Sequence, residues 1–366
     1  MKLILNIKKN NKMKNIFKIS IIALITIAVA QLSESLSAQD TRSSLSYGNP
    51  LYLNPAIAGA NKDFKLLINY RNQWGSLDNG FKTYSVTALY PVFTGKSNAS
   101  TLIGGEADKG GANNVNSKLD FGLNAQKFTA GAFSNLDFAL SIGYNIRLTD
   151  NNYFSAAILG SYVQKSLDVS KLTFDEQYVL GSYNSSNPNS ETVLNQKVTY
   201  PSVGFGALWY YNEGEGAKLN AFLGVAGYNL NKPNESFTGG TGQLPRRFTF
   251  NGGIKIIGAN KIDITPNVIY LVQGSSQLLA AGLYLDYRLN DKSKLVLGSW
   301  YKVNDAVTFL IGFDYNLFTI GYGYDLVTSD VSRAISGLNT HTISLSFKLD
   351  QSSKKNLNLN NPFSSF

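Results

Sequence analysis

His341 is the sole histidine of the 366-residue chain, and there is no cysteine. Acyl-transfer hydrolases need an imidazole to take and return a proton, so such a reaction would have to run through His341. That residue heads the run THTISLSFKL with no serine and acid at a fixed spacing beside it, and a rim histidine is the plainer reading. One imidazole without thiolates cannot build a transition-metal centre. The acidic pairs Asp175-Glu176 and Glu213, Glu215 lack calcium-loop spacing and read as solvated turn charges. Gly239-Gly240 and Gly252-Gly253 have neither the Lys-Ser/Thr nor the following helix of a phosphate loop. No catalytic residue, cofactor or metal is therefore expected.

The composition points instead to a scaffold. With 21 Tyr, 21 Phe and 33 Gly against 16% charged residues, the chain suits many strands with small residues on one face and aromatics at the rims. No window reaches the roughly 18 apolar residues of a spanning helix. At the start, Lys14 and Lys18 precede the apolar run Ile19 to Ala30, and small residues follow. This reads as an export signal cleaved after Ala30 or, preferably, after Ala38, with Met13 a start that would give it ordinary length. Residues 1–38 carry six lysines and Glu34, so their loss lowers the +9 of the whole chain to about +4. The basic face that nucleic acid would require largely goes with them, and no nucleic-acid partner is expected.

What must position any functional residue is a repeated strand. In Leu136 to Leu148, LDFALSIGYNIRL, one face is Leu136, Phe138, Leu140, Ile142, Tyr144, Ile146, Leu148, and the other is Asp137, Ala139, Ser141, Gly143, Asn145, Arg147. Only the two-residue period of a strand separates these sets. Comparable segments are 64–74, 81–90, 119–128, 136–148, 153–165, 200–211, 218–230, 246–257, 261–272, 277–289, 294–302, 306–313, 317–325 and 340–349. Alternation blurs only in the seventh. Fourteen is an even number, as a closed barrel with both ends on one side requires. Closure also leaves no unpaired strand edge in lipid, where each orphaned backbone group costs several kcal/mol.

The predicted fold is an all-β transmembrane antiparallel barrel over residues 64–349, with a polar tail at 350–366. A soluble sandwich or propeller would need charged outward faces, and here the less apolar faces are small and sparsely charged, as a wet lumen would be. With a periplasmic N-terminus, connections after even strands are mostly tight, while those after strands five, seven and thirteen are long, following the outer-membrane rule. Pro91 to Lys118 breaks that rule. Between leader and barrel, residues 39–63 include YGNPLYLNPAIAGA, where Asn49-Pro50 and Asn54-Pro55 deny a central strand and favour turns or a short helix beginning near Pro55. Its apolar residues need cover, either as a lead-in at the periplasmic mouth or as a plug or docking element.

LYLNPAIAGA followed by Tyr70-Arg71-Asn72-Gln73-Trp74 resembles the PorP/SprF family of type IX secretion outer-membrane proteins. Similarity continues through the Gly-rich third strand, Pro201-Ser-Val-Gly-Phe-Gly, Ile264-Thr-Pro266-Asn, Trp300-Tyr301-Lys302 to Asp305-Ala306, Gly321-Tyr322-Gly323-Tyr324-Asp325 and the His341 strand. The chain departs from the family at Gly75, where Pro is common after the Trp, and at Thr342, where an acid usually follows the His. The resemblance implies an outer-membrane barrel of type IX secretion or gliding machinery. Its partners would be secretion components, membrane lipid and a secreted or adhesin-like protein that it binds or anchors. Partner-binding positions implied in this way are Asn54, Pro55, Arg71, Gln73 and Trp74, with the loops Ser166 to Thr199 and Asn231 to Pro245 facing outward. Two other readings stay open: a passive diffusion porin lined by Asp137, Arg147, Asp286 and Arg288, and a barrel hydrolase dependent on His341.

Overall fold

A computed structural model describes residues 47–61, 63–75, 80–95, 117–179, 182–184, 187, 196–213, 218–258, 261–329 and 338–349. The leader, residues 39–46, Glu215, most of the connection between strands two and three, and the tail lie outside them. Fourteen strands close a single antiparallel barrel. In chain order they are β1 (Phe64–Gln73), β2 (Phe81–Gly95), β3 (Ser117–Ala130), β4 (Phe133–Arg147) and β5 (Asn152–Leu167). The next five are β6 (Lys197–Asn212), β7 (Leu219–Tyr228), β8 (Arg247–Ile257), β9 (Ile262–Gln273) and β10 (Ser276–Asn290). The last are β11 (Ser293–Lys302), β12 (Ala306–Tyr315), β13 (Phe318–Val327) and β14 (Asn339–Leu349). Every strand pairs with its neighbours in sequence, and β1 closes on β14 from Phe64 opposite Leu349 to Gln73 opposite Thr340. A small hairpin, Tyr178–Val179 with Ser182–Tyr183, rises from the connection after β5. Among the described residues no helix is long and apolar enough to cross a membrane.

The expected alternation is what the barrel uses. Along β4, Phe138, Leu140, Ile142 and Tyr144 point outward and stay exposed, while Ala139, Ser141 and Asn145 point inward and are buried. Outward apolar residues form a belt round the barrel, including Ile68, Val86, Leu123, Ile158, Leu223, Phe309 and Ile343. Strand β2 outlasts its expected stop at Tyr90 and runs through Pro91, opposite Asp120, to Gly95. Its pairing with β1 has already ended at Leu89, so the proline sits in an edge-like stretch where a missing N–H costs little. The connections after even strands define one end of the barrel, here the turn end; those after odd strands define the loop end.

The blurred seventh strand has a physical cause. Phe222 and Tyr228 of β7 point inward and are buried, as do Leu208 and Tyr210 of β6, Tyr284 of β10 and Trp300 of β11. They cover the segment that precedes β1. Helix α1 (Pro50–Leu53) begins at Asn49, whose side chain accepts from the Tyr52 N–H, with Pro50 in the first turn where no donor is needed. Asn54 ends α1 and caps a 3-10 turn, Pro55–Ala60, accepting from the Ala56 N–H. Six consecutive residues, Pro55 to Ala60, are buried. Where a wet lumen was expected, the barrel holds a packed core built on this segment.

Candidate functional site

The luminal segment is fastened to strands all round the barrel, which places it inside. Asn69 of β1 donates to the Gly48 carbonyl (2.8 Å), and the Asn49 amide donates to Gln126 of β3 (2.9 Å). On the opposite side, the fully buried Asn54 amide donates to the Ala207 carbonyl (3.0 Å), the Val225 carbonyl (3.4 Å) and Asn251 Oδ1 (3.3 Å), tying β6, β7 and β8 to one side chain. The Tyr228 hydroxyl donates to the Leu51 carbonyl (2.8 Å), and Tyr47 donates to Asn267 of β9 (3.3 Å). The Tyr47 ring lies 6.0 Å from Phe222 and 6.3 Å from Trp300 between centroids. Its burial pushes the phenol well above its ordinary pKa, so it stays a neutral donor.

Arg247 at the head of β8 locks the loop-end side of this segment. Its guanidinium sits between the rings of Tyr52 (3.7 Å) and Tyr228 (4.2 Å) and donates to the Tyr52 carbonyl (3.1 Å). A planar cation can stack on two aromatic faces while its edge makes a hydrogen bond, which an ammonium cannot do. Strand glycines allow the close approach. A Cβ on Gly206 would stand 2.2 Å from Asn54 Oδ1 and 2.9 Å from the Ala56 nitrogen. These inward Asn, Gln and aromatic residues were missed in the sequence, although the broken alternation of β7 marked the place.

Arg71 and Gln73 also face inward. Arg71 is buried, donates to Gln73 (3.1 Å) and pairs with Asp325 of β13 (3.3 Å). Asp325 accepts in addition from Lys302 (3.1 Å) and the Thr308 hydroxyl (2.7 Å). Trp74 ends β1 with φ of 58°, a left-handed conformation uncommon for a bulky residue. It is held by its N–H on the Asn339 carbonyl (2.9 Å) and by the Phe81 ring at 5.0 Å. Thus Asn54 and Pro55 lie together in the lumen, Arg71 and Gln73 together on the inner wall, and Trp74 at the loop-end rim.

Three of the remaining candidate charges are held in ion pairs with other residues. Asp286 is buried against Lys255 (3.2 Å) and Lys294 (3.6 Å), and Arg288 pairs with Asp263 (3.1 Å). Asp314 joins Lys294 (3.6 Å) and Lys348 (3.1 Å), extending this inner network from β8 to β14. Arg147 folds onto Asp150 in the β4–β5 turn (3.0 Å), and Asp137 is half-buried on the inner side of β4. His341 points outward, its Nδ1 2.7 Å from the Tyr322 hydroxyl and its ring 5.3 Å from Tyr324. Among the described residues it has no ion pair with a carboxylate, and no cluster of three or more His, Asp or Glu could hold a metal. In the turn after β6, Glu213 accepts from Tyr211 (3.0 Å) and the Lys218 N–H (2.8 Å); the backbone bond first, then the phenol, holds its pKa below the usual range.

At the loop end, the long connections fold back on the rim. Glu235 pairs with Lys165 of β5, and Phe237 packs on Phe133 at 6.5 Å. Lys165 also lies over the rings of Phe133 and Tyr200, each at 5.9 Å. The hairpin after β5 leaves Tyr178, Val179 and Tyr183 exposed, with Tyr178 at 65%.

Comparison with solved structures finds similar barrels at low identity. A Pseudomonas aeruginosa FadL homologue is 11% identical, with 83% of this chain and 94% of that one covered and a TM-score of 0.48. The Ralstonia pickettii toluene transporter TbuX is 11% identical, covering 82% and 93% with a TM-score of 0.46, and the P. putida toluene transporter TodX is 11% identical, covering 81% and 93% with a TM-score of 0.42. Comparison with curated protein sequences finds no match. The family model described as type IX secretion system membrane protein PorP/SprF matches residues 35–347, which take in the luminal segment and thirteen complete strands with most of β14. The chain is an outer-membrane β-barrel and belongs to the PorP/SprF family of type IX secretion system membrane proteins.

Proposed function

We propose that this barrel binds a secreted or cell-surface protein and anchors it at the outer membrane, in company with other type IX secretion components. The observation that carries the reading is the filled lumen. Tyr47 to Asn61, apart from the half-buried Tyr52, is buried across the barrel and its partners are used on all sides, so the segment acts as a plug rather than as a gate over a free channel. A barrel without a free channel serves as a platform, and its partner contacts belong to the loop end, which faces outward under the tight-inside, long-outside rule. The hairpin with Tyr178 and Tyr183 supplies rigid exposed aromatics of the kind that dominate protein interfaces. Asn54 and Pro55 hold the plug, and Arg71 and Gln73 brace the wall beneath Trp74 at the rim. Nothing in the geometry of His341 favours the hydrolase reading.

The test is affinity purification of the tagged barrel from outer membranes, with mass spectrometry of what accompanies it. Recovery of an exported protein with secretion components is expected, and Tyr178→Ala with Tyr183→Ala should reduce the exported protein at least tenfold at equal barrel yield. Recovery of the barrel alone from cells with active secretion would overturn the reading.

A further inference from the structure

We propose that a lysine-lined groove on the outer surface of β1 to β6, at the loop end, binds the phosphates of lipid head groups in the outer leaflet. The groove is set out by register. Asn72 lies opposite Lys82, Lys82 opposite Thr129, Thr129 opposite Ser134, Ser134 opposite Ser166, and Ser166 opposite Lys197. All six share the parity of the outward apolar belt, so they form one polar row across six strands. All six line a cavity of about 660 Å³.

Depth and charge select the occupant. One step toward the barrel centre the same outward faces carry Tyr70, Tyr84, Lys127, Leu136, Gln164 and Thr199, and one step further Ile68, Val86, Phe138 and Tyr162, which belong to the apolar belt. A polar row two steps beyond an apolar belt, with a mixed row holding Tyr70, Tyr84 and Lys127 between them, stands at the level of the head groups. Lys127, diagonal to Lys82 across the β2–β3 pair, also lines the cavity, and such diagonal neighbours lie about 7–8 Å apart, close enough to share one phosphate. Lys197 stands four strand spacings away, roughly 20 Å, within reach of a second phosphate. Among the described residues Lys82, Lys127 and Lys197 have no ion-pair partner, whereas Asp168, the single acid of the lining, pairs with Lys171 (3.4 Å). Thr129, Ser134 and Ser166 add hydroxyl donors between the cations.

The proposal rests on the outward orientation of the loop end given above. Its test reads lipid retention by the purified, full barrel and so does not depend on partner capture. Native mass spectrometry in detergent would count bisphosphorylated lipid A bound to the wild type, to the triple variant Lys82→Gln, Lys127→Gln, Lys197→Gln, and to a control with Lys218→Gln, Lys261→Gln, Lys292→Gln at the turn end. Lysines near an anionic head-group surface each contribute roughly fivefold, so removing three should weaken binding about a hundredfold. The control and the unfolding temperature should not change. Equal loss in both variants, no loss in either, or equal retention of dephosphorylated lipid A would overturn the proposal. Displacement of the lipid by inorganic phosphate or an acidic peptide at matched concentration would overturn its assignment to lipid.

Discussion

The polar residues of this barrel act in pairs that their neighbours in sequence do not reveal. Arg71 is inward by parity alone, since it alternates with the outward Ile68 and Tyr70, and that much was legible. Its partner Asp325 lies twelve strands further along the chain, brought adjacent only because β1 closes on β14. Asp325 neutralises two buried cations, Arg71 and Lys302. Removing one partner of a buried ion pair leaves an uncompensated charge and costs about 3–5 kcal/mol. Asp325→Asn is therefore expected to destabilise the barrel by about 3 kcal/mol, read as a lower denaturant midpoint in detergent. An unchanged midpoint would mean that Arg71 and Lys302 find other anions or water.

At the scale of elements, the luminal segment and the barrel wall form one packed unit. Glycine at 206 is required there because the Asn54 side chain and the Ala56 backbone occupy the space a side chain would take. Gly206→Val is expected to unseat the segment while leaving the fourteen strands paired. The cysteine-free chain supplies a clean readout: the thiol of Ala58→Cys, placed at a buried position, should resist a membrane-impermeant maleimide. Adding Gly206→Val should speed labelling at least tenfold. Rapid labelling of Ala58→Cys by itself would show that the segment leaves the lumen spontaneously. The two Asn-Pro pairs disclosed turns or a short helix near Pro55, because proline's fixed φ and missing donor suit first turns and exclude central strands. The α-helix in fact starts one pair earlier, at Pro50, with a 3-10 turn at Pro55. Which surface would cover that helix was not legible, since the covering residues come from eight or more strands.

For the whole molecule, the filled lumen and the paired inner charges predict an electrically quiet barrel. Planar-bilayer recordings of the pure protein should show no steady conductance, and deletion of residues 47–61 should produce one. A steady pore from the intact chain would favour the diffusion-porin reading instead. The outward apolar belt makes the complementary prediction that the barrel is extracted only by detergent, not by high salt or alkali, since burial of that surface in lipid is hydrophobic rather than electrostatic.

The number of strands, their boundaries to within a few residues and, outside the blurred seventh strand, the face each side chain takes were determined by the sequence alone, because a two-residue period is a local property of the backbone. The same is true of the family, through LYLNPAIAGA and Tyr70 to Trp74. The tertiary structure decided what the strands enclose. Whether inward Asn, Gln and aromatic side chains meet water or a neighbouring segment depends on contacts between residues far apart in sequence, such as Asn54 with Asn251, 197 positions away. Local periodicity shows which face a residue takes, and only closure of the barrel brings to that face the group it binds.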